Sequence, residues 1–188
     1  MADTLRYGIM STARIARNSH IPAARASDNS EIVAISSRDA GCYCVSALRY
    51  ALDDEPTHAA AFERARDNGT DFDFSGTLRF RSGATAHLVT SQRKPFVASL
   101  EIVGESGRVA LPNFFAATEV TVRTRAGSKT ESFPSVNRFA LQITHFSDCV
   151  LNGTALRFPP EDAIRNTRAL VALKEAAHSG MVVGLDHG

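Results

Sequence analysis

Asp71-Phe72-Asp73-Phe74-Ser75-Gly76-Thr77-Leu78-Arg79-Phe80 alternates polar and apolar residues over its whole length. A period of two puts every second side chain on the same face, so the segment reads as a strand with one buried and one open face. Ser82-Gly83 is a hairpin signal, and residues 84–91 return beside it. The pattern then recurs. Residues 98–103 and 108–111 flank Gly104-Glu105-Ser106-Gly107, and residues 119–125 and 129–133 flank Ala126-Gly127-Ser128. Antiparallel strands joined by short turns predict an open sheet with one face for covering helices and the other free.

Two helices close the chain. Residues 139–151 carry Leu141, Phe146 and Val150, with Asn152-Gly153 as the stop. Pro159-Pro160-Glu161-Asp162 introduces a second helix over 163–179, with Leu170, Leu173 and Lys174 near helical spacing and Gly180 ending it. Glu161 and Asp162 read as first-turn acids opposing the helix dipole rather than as a catalytic pair. His145, alone on its helix, reads as structural.

The amino-terminal part has a different grammar. Leu5-Arg6-Tyr7-Gly8-Ile9-Met10 is a short strand running into the small-residue turn Ser11-Thr12-Ala13-Arg14-Ile15-Ala16. A helix is expected next, although Pro22 would break a turn of it. Asp28-Asn29-Ser30 makes a turn, and Glu31-Ile32-Val33-Ala34-Ile35-Ser36 reads as a second, buried strand. Strand, turn, helix, strand is the opening βαβ of a dinucleotide fold. Ser11, Ala13 and Ala16 stand where its glycines would. Small residues still let the backbone approach a pyrophosphate, and the helix amino terminus offers unpaired N–H groups to an anion. Ser37 and Arg38 follow the second strand, where such folds meet the adenosine ribose. A hydroxyl and a guanidinium there suit the 2′-phosphate of NADP better than NAD. Ser11, Thr12, Ala13, Arg14, Ile15, Ser37 and Arg38 are therefore the candidate cofactor-binding residues.

A second strand of this kind leads on to a crossover helix and a third parallel strand. Here Gly41-Cys42-Tyr43-Cys44-Val45-Ser46-Ala47-Leu48-Arg49-Tyr50-Ala51-Leu52 begins two residues after Asp39. It reads as a helix with an apolar side at Val45, Leu48 and Leu52.

Composition excludes several classes. With 44% hydrophobic residues, 22% charged residues and a net charge of +1, the chain is of ordinary globular composition and has no clustered cations for nucleic acid or an anionic membrane. No stretch approaches the roughly 18 apolar residues that span a bilayer. MADTLRYGIM carries no secretory pattern, and Cys42, Cys44 and Cys149 make an odd set without a second cluster for zinc. Reduced thiols in a cytoplasmic protein are expected, with no metal, nucleic-acid or membrane partner.

GIMSTARIARNSHIPA followed by EIVAISSRD resembles the start of the glucose-fructose oxidoreductase/inositol dehydrogenase (Gfo/Idh/MocA) family, and within it the NADP-using sugar and dihydrodiol dehydrogenases. Asp39-Ala40-Gly41-Cys42-Tyr43 resembles the family's D-x-G-x-Y segment, which opens the helix between its two domains. Ser99-Leu100-Glu101-Ile102-Val103-Gly104-Glu105-Ser106-Gly107 resembles its S-L-E-I-x-G-x-x-G hairpin, and HFSDCVLNG…RFPPEDAIRNTRAL…LKEAAHSG resembles its carboxy-terminal signature.

The resemblance implies an α+β chain. Residues 1–39 would be the remnant of a truncated Rossmann domain. Residues 40–188 would form an open, mostly antiparallel sheet domain covered by helices on one face. It also implies a strand over residues 57–66, which by propensity alone favour a helix. Asp39 fits both flanking motifs at once, as an internal deletion with its ends at a shared residue would leave it. The family's Glu-Lys-Pro element has no counterpart; Lys94-Pro95 follows Arg93. By resemblance the family oxidises a secondary alcohol by hydride transfer to nicotinamide, with a Tyr or His handling the proton and the lysine lowering its pKa. That makes Tyr43 and Asp39 the candidate catalytic residues, a sugar or diol the substrate, NADP the cofactor and a homodimer through the free sheet face the assembly. With most of the nucleotide domain and the lysine missing, weak activity is implied. The alternative is a non-catalytic, sheet-mediated scaffold, or a gene model joining two distant pieces.

Overall fold

The computed structural model describes residues 5–8, 30–34, 42–65, 71–91 and 98–185. Among them the chain is α+β. β1 (Leu5–Gly8) and β2 (Ser30–Ala34) pair in parallel, with Leu5 opposite Ser30. α1 (Cys42–Leu52) follows, then β3 (Pro56–Ala65), β4 (Asp71–Phe80) and β5 (Thr85–Ser91). β6 (Leu100–Gly104), β7 (Gly107–Leu111), β8 (Glu119–Thr124) and β9 (Gly127–Ser132) form a meander. α2 (Arg138–Asn152), α3 (Pro160–Ser179) and β10 (Val183–Gly184) complete it.

Among the described residues the antiparallel strands pair as two four-stranded sheets, in the orders β10-β3-β4-β5 and β6-β7-β8-β9, where the sequence pattern suggested one. In the first sheet the alternation works as expected. Phe74, Leu78 and Phe80 of β4 are buried together with Ala59 and Ala61 of β3 and Ala86 and Leu88 of β5. On the opposite face Phe62, Ser75 and Val89 stand in one row, and Phe62 and Val89 are 79% and 71% exposed.

β3 shows why propensity misleads here. Thr57-His58-Ala59-Ala60-Ala61 is helix-favouring in isolation, yet it is paired on both edges, with β4 along its length and with β10 at Ala59 and His58. α3 lies on this strand. Ala169, Ala172 and Ala176 on the helix and Ala59 and Ala61 beneath it are all buried, so small side chains meet small side chains. Gly76 of β4 belongs to the same close contact, because a Cβ there would sit 2.7 Å from Leu173 Cδ2.

The helix ends follow their signals. The Asn137 side chain caps α2 by accepting the Ala140 N–H, and Gly153 and Gly180 end α2 and α3 in the left-handed conformation. α3 starts one turn earlier than the apolar spacing suggested, with Pro160 in its first turn. The β6–β7 and β8–β9 turns are two residues long: Gly104 pairs Gly107 and Thr124 pairs Gly127. No helix among the described residues is long and apolar enough to cross a membrane.

Candidate functional site

α1 carries the sequence-assigned Tyr43. Val45 and Arg49 are its buried residues, with Cys44, Leu48 and Leu52 packed against the core. Residues 45, 48, 49 and 52 follow helical spacing, so this stripe faces inward. Tyr43 lies off it and is 45% exposed. Its ring meets Phe115 edge-on, with centroids 5.1 Å apart and planes at 85°. Phe115 stacks on Phe114 at 4.3 Å, and the Phe114 N–H donates to the Ala98 carbonyl. The segment after β7 thus supports one side of the phenol.

Partial burial pushes the Tyr43 hydroxyl above its ordinary pKa, the Cys42 thiol adds to this, and the Arg138 guanidinium at the start of α2 opposes it. A phenol held above 10 is protonated at neutral pH. It can donate a proton or a hydrogen bond, but is a poor base. Lys129 pairs with Glu131 at 2.6 Å and Lys174 with Glu63 at 3.0 Å; Lys94 lies outside the described residues. Asp39 and the expected cofactor residues Ser11, Thr12, Ala13, Arg14, Ile15, Ser37 and Arg38 also lie outside them.

At the other end of α1 stands a group that the apolar pattern hid. Arg49 occupies the buried stripe one turn after Val45 and is 6% exposed. Its Nε and Nη2 donate to the two carboxylate oxygens of Glu55 at 2.8 and 2.7 Å, and Nη2 also donates to Asp162 Oδ1 at 2.9 Å. Nη1 reaches the Asp162 carbonyl and Asn166 Oδ1, both at 3.4 Å. These hydrogen bonds to the charged guanidinium hold its pKa above the usual arginine value, Glu55 first, against the opposing effect of burial. Arg165 Nε lies 2.9 Å from Glu55 Oε1, close enough for charge attraction but without the alignment of a hydrogen bond. Asp162, expected only to oppose the helix dipole, is thus also a partner of a buried cation. The signal was available: a charge on an apolar stripe needs a counter-charge, and Glu55 follows six residues later.

A cavity of about 310 Å³ opens beside this knot, between Tyr50, Asp53, Phe158 and Arg165. Tyr43 is not among its walls, so it is separate from the phenol. His145 has a structural use, since its Nε2 accepts the Arg157 backbone N–H at 3.2 Å and lies 3.6 Å from Cys149 Sγ. Cys42, Cys44 and Cys149 form no disulfide, and no group of three or more His, Cys, Asp or Glu among the described residues is arranged to hold a metal.

Comparison with known proteins adds the lineage. The family model of the GFO/IDH/MocA C-terminal domain matches residues 9–110. D-xylose 1-dehydrogenase (NADP(+)) 2 of Haloferax volcanii is 33% identical over 153 residues, covering 79% of this chain and 47% of that protein. Among solved structures, aldose-aldose oxidoreductase from Caulobacter crescentus, complexed with glycerol, superposes with a TM-score of 0.68 at 25% identity, over 77% of this chain and 46% of that one. KijD10, a 3-ketoreductase from Actinomadura kijaniata in complex with NADP, gives a TM-score of 0.65 at 26% identity, over 73% and 46%. The chain thus spans about half the length of the proteins it matches. With the family model covering more than half of its residues, the chain belongs to the GFO/IDH/MocA family.

Proposed function

We propose that this chain derives from an NADP-dependent oxidoreductase acting on a sugar, polyol or diol, with Tyr43 as its proton-handling residue. The position of Tyr43 carries the reading: first turn of α1, half-exposed, edge-on to Phe115 and protonated at neutral pH. The Haloferax volcanii relative, a D-xylose dehydrogenase named for NADP(+), supports the substrate class and the cofactor.

The parallel pairing of β1 and β2 fits a dinucleotide. Their carboxyl ends, Gly8 opposite Ala34, lie side by side, and such folds bind cofactor at that edge. In this reading residues 1–39 are a truncated nucleotide-binding remnant and residues 40–188 the sheet domain. Ser11, Thr12, Ala13, Arg14 and Ile15 would meet the pyrophosphate, and Ser37 and Arg38 the ribose 2′-phosphate. When bound, the nicotinamide supplies hydride transfer. Tyr43 donates its hydroxyl proton to a substrate carbonyl oxygen in the reducing direction, and Arg138 eases formation of the phenolate. Alcohol oxidation, which needs the phenol as a base, is handicapped by its raised pKa.

A second reading, a non-catalytic scaffold joined through the free sheet face, is favoured by the lysines, two of which are paired with acids elsewhere. NADPH titration followed by nicotinamide fluorescence separates the two. Saturable binding that Arg38→Ala weakens, with Tyr43→Phe leaving binding intact and abolishing NADPH-dependent reduction of pentose-derived ketones, is the expected result. No saturable binding at millimolar cofactor leaves only the scaffold.

A further inference from the structure

α1 enters the domain at Cys42, immediately before Tyr43, and its first turn has no acidic residue. One tie on that turn comes from α3. Asn166, one turn after Asp162, donates from Nδ2 to the Cys42 carbonyl at 3.4 Å and accepts from Arg49 Nη1 on Oδ1 at 3.4 Å. A side-chain amide offers a donor and an acceptor on one rigid plane, so it can serve both neighbours at once. Arg49 is itself fixed by Glu55 and Asp162. The Cys42 carbonyl is therefore linked through one side chain to an immobilised guanidinium near the far end of the same helix.

Peptide planarity passes this constraint to the next residue. The Cys42 carbonyl and the Tyr43 nitrogen share one plane, so restraining the oxygen restrains where the Tyr43 Cα–Cβ bond begins. Phe115 then limits the ring at its edge, 5.1 Å between centroids.

We propose that Asn166 is a positioning residue for Tyr43: it ties the Cys42–Tyr43 peptide to the Arg49 knot and so sets the direction of the phenol. Its relevance to catalysis rests on the reading of Tyr43 given above; the tether itself does not. Asn166→Asp separates the two halves of the link, because a carboxylate still accepts from Arg49 but cannot donate to the Cys42 carbonyl. The test is made by NMR on the full chain, below the thermal midpoint of each variant. The Tyr43–Phe115 ring contact is read by the nuclear Overhauser effect. Hydrogen exchange is read at the Ser46 amide, whose helical acceptor is that same carbonyl.

Asn166→Asp is expected to keep a near-parental melting temperature, lose the ring contact and exchange the Ser46 amide about tenfold faster, as one ordinary hydrogen bond would give. If it is too unstable to read, Asn166→Ser, whose single hydroxyl cannot span both neighbours, is read in the same way. A parental ring contact and parental Ser46 exchange in the variant read would overturn the proposal. Neither readout needs turnover. A chain without dehydrogenase activity therefore removes the catalytic reading of Tyr43 while leaving the tether to be judged separately.

Discussion

Replacing Arg49 with alanine strips Glu55 of its bidentate partner and leaves two carboxylates, side chains 20% and 27% exposed, facing each other across an emptied site. Removing one partner of such a buried cluster costs about 3 kcal/mol, and urea unfolding followed by circular dichroism should show that loss. Arg49→Lys keeps the charge but not the fork, so about 1–2 kcal/mol of destabilisation is expected. Equal losses for the two variants would mean that geometry, not charge, carries the whole effect. Asp54 allows a prediction with pH. It accepts the Ser82 N–H at 2.8 Å and the Glu55 N–H at 2.7 Å, and the Ser82 bond is the main cause that holds its carboxyl below the ordinary 3.8. A depressed folded-state pKa gives stability that is present above the unfolded value and lost as pH falls through the folded one. Melting temperature should therefore fall on acidification below 3.8, and Asp54→Asn should flatten that acid limb without altering its neutral shape.

At the scale of elements, α3 changes character along one stripe. Its amino-terminal part presents Asp162 and Asn166 to the arginine of α1; its later turns present Ala169, Ala172, Leu173 and Ala176 to the sheet. The close approach depends on Gly76. Gly76→Ala would press a methyl group against Leu173, which is 1% exposed and has little room to move, so about 1–2 kcal/mol should be lost. Shortening the opposing side chain tests the cause: in a Leu173→Val background the same Gly76→Ala change should cost less than half as much, measured as a double-mutant cycle. The end of α3 is set by backbone conformation instead. Gly180 sits at φ 69° with open space around it, so Gly180→Ala should cost about 1 kcal/mol through the left-handed backbone alone.

For the whole molecule, the first sheet is covered on one face by α1 and α3 and leaves Phe62 and Val89 bare on the other. An aromatic and a branched aliphatic flanking Ser75 on an open sheet suit contact with a second copy. Light scattering at micromolar concentration is expected to give a dimer, and the double variant Phe62→Glu/Val89→Lys a folded monomer; a monomeric parent chain would remove the homodimer from the proposed assembly. The β1–β2 pair lies beside α2, so loss of that pair should be felt in the exchange of α2 amides more than in the first sheet.

Strand periodicity, turn chemistry and helix stops were legible in the residues, because each depends on neighbours in sequence: the alternation in Asp71–Phe80, the glycines of the two-residue turns and Gly180 after α3. Tyr43 was picked out as a candidate through the motif that carries it. Three things required the fold. β3, expected as a strand from the resemblance but not from propensity, is held as one because both its edges are paired and a helix of small side chains lies on it. The antiparallel strands divide into two sheets through pairings that no local pattern encodes. Arg49 finds Glu55 six residues away, but Asp162 and Asn166 are more than a hundred residues distant. Local free energies set what each segment prefers. A buried charge and a pair of facing alanines take their meaning from partners that only chain folding brings within reach.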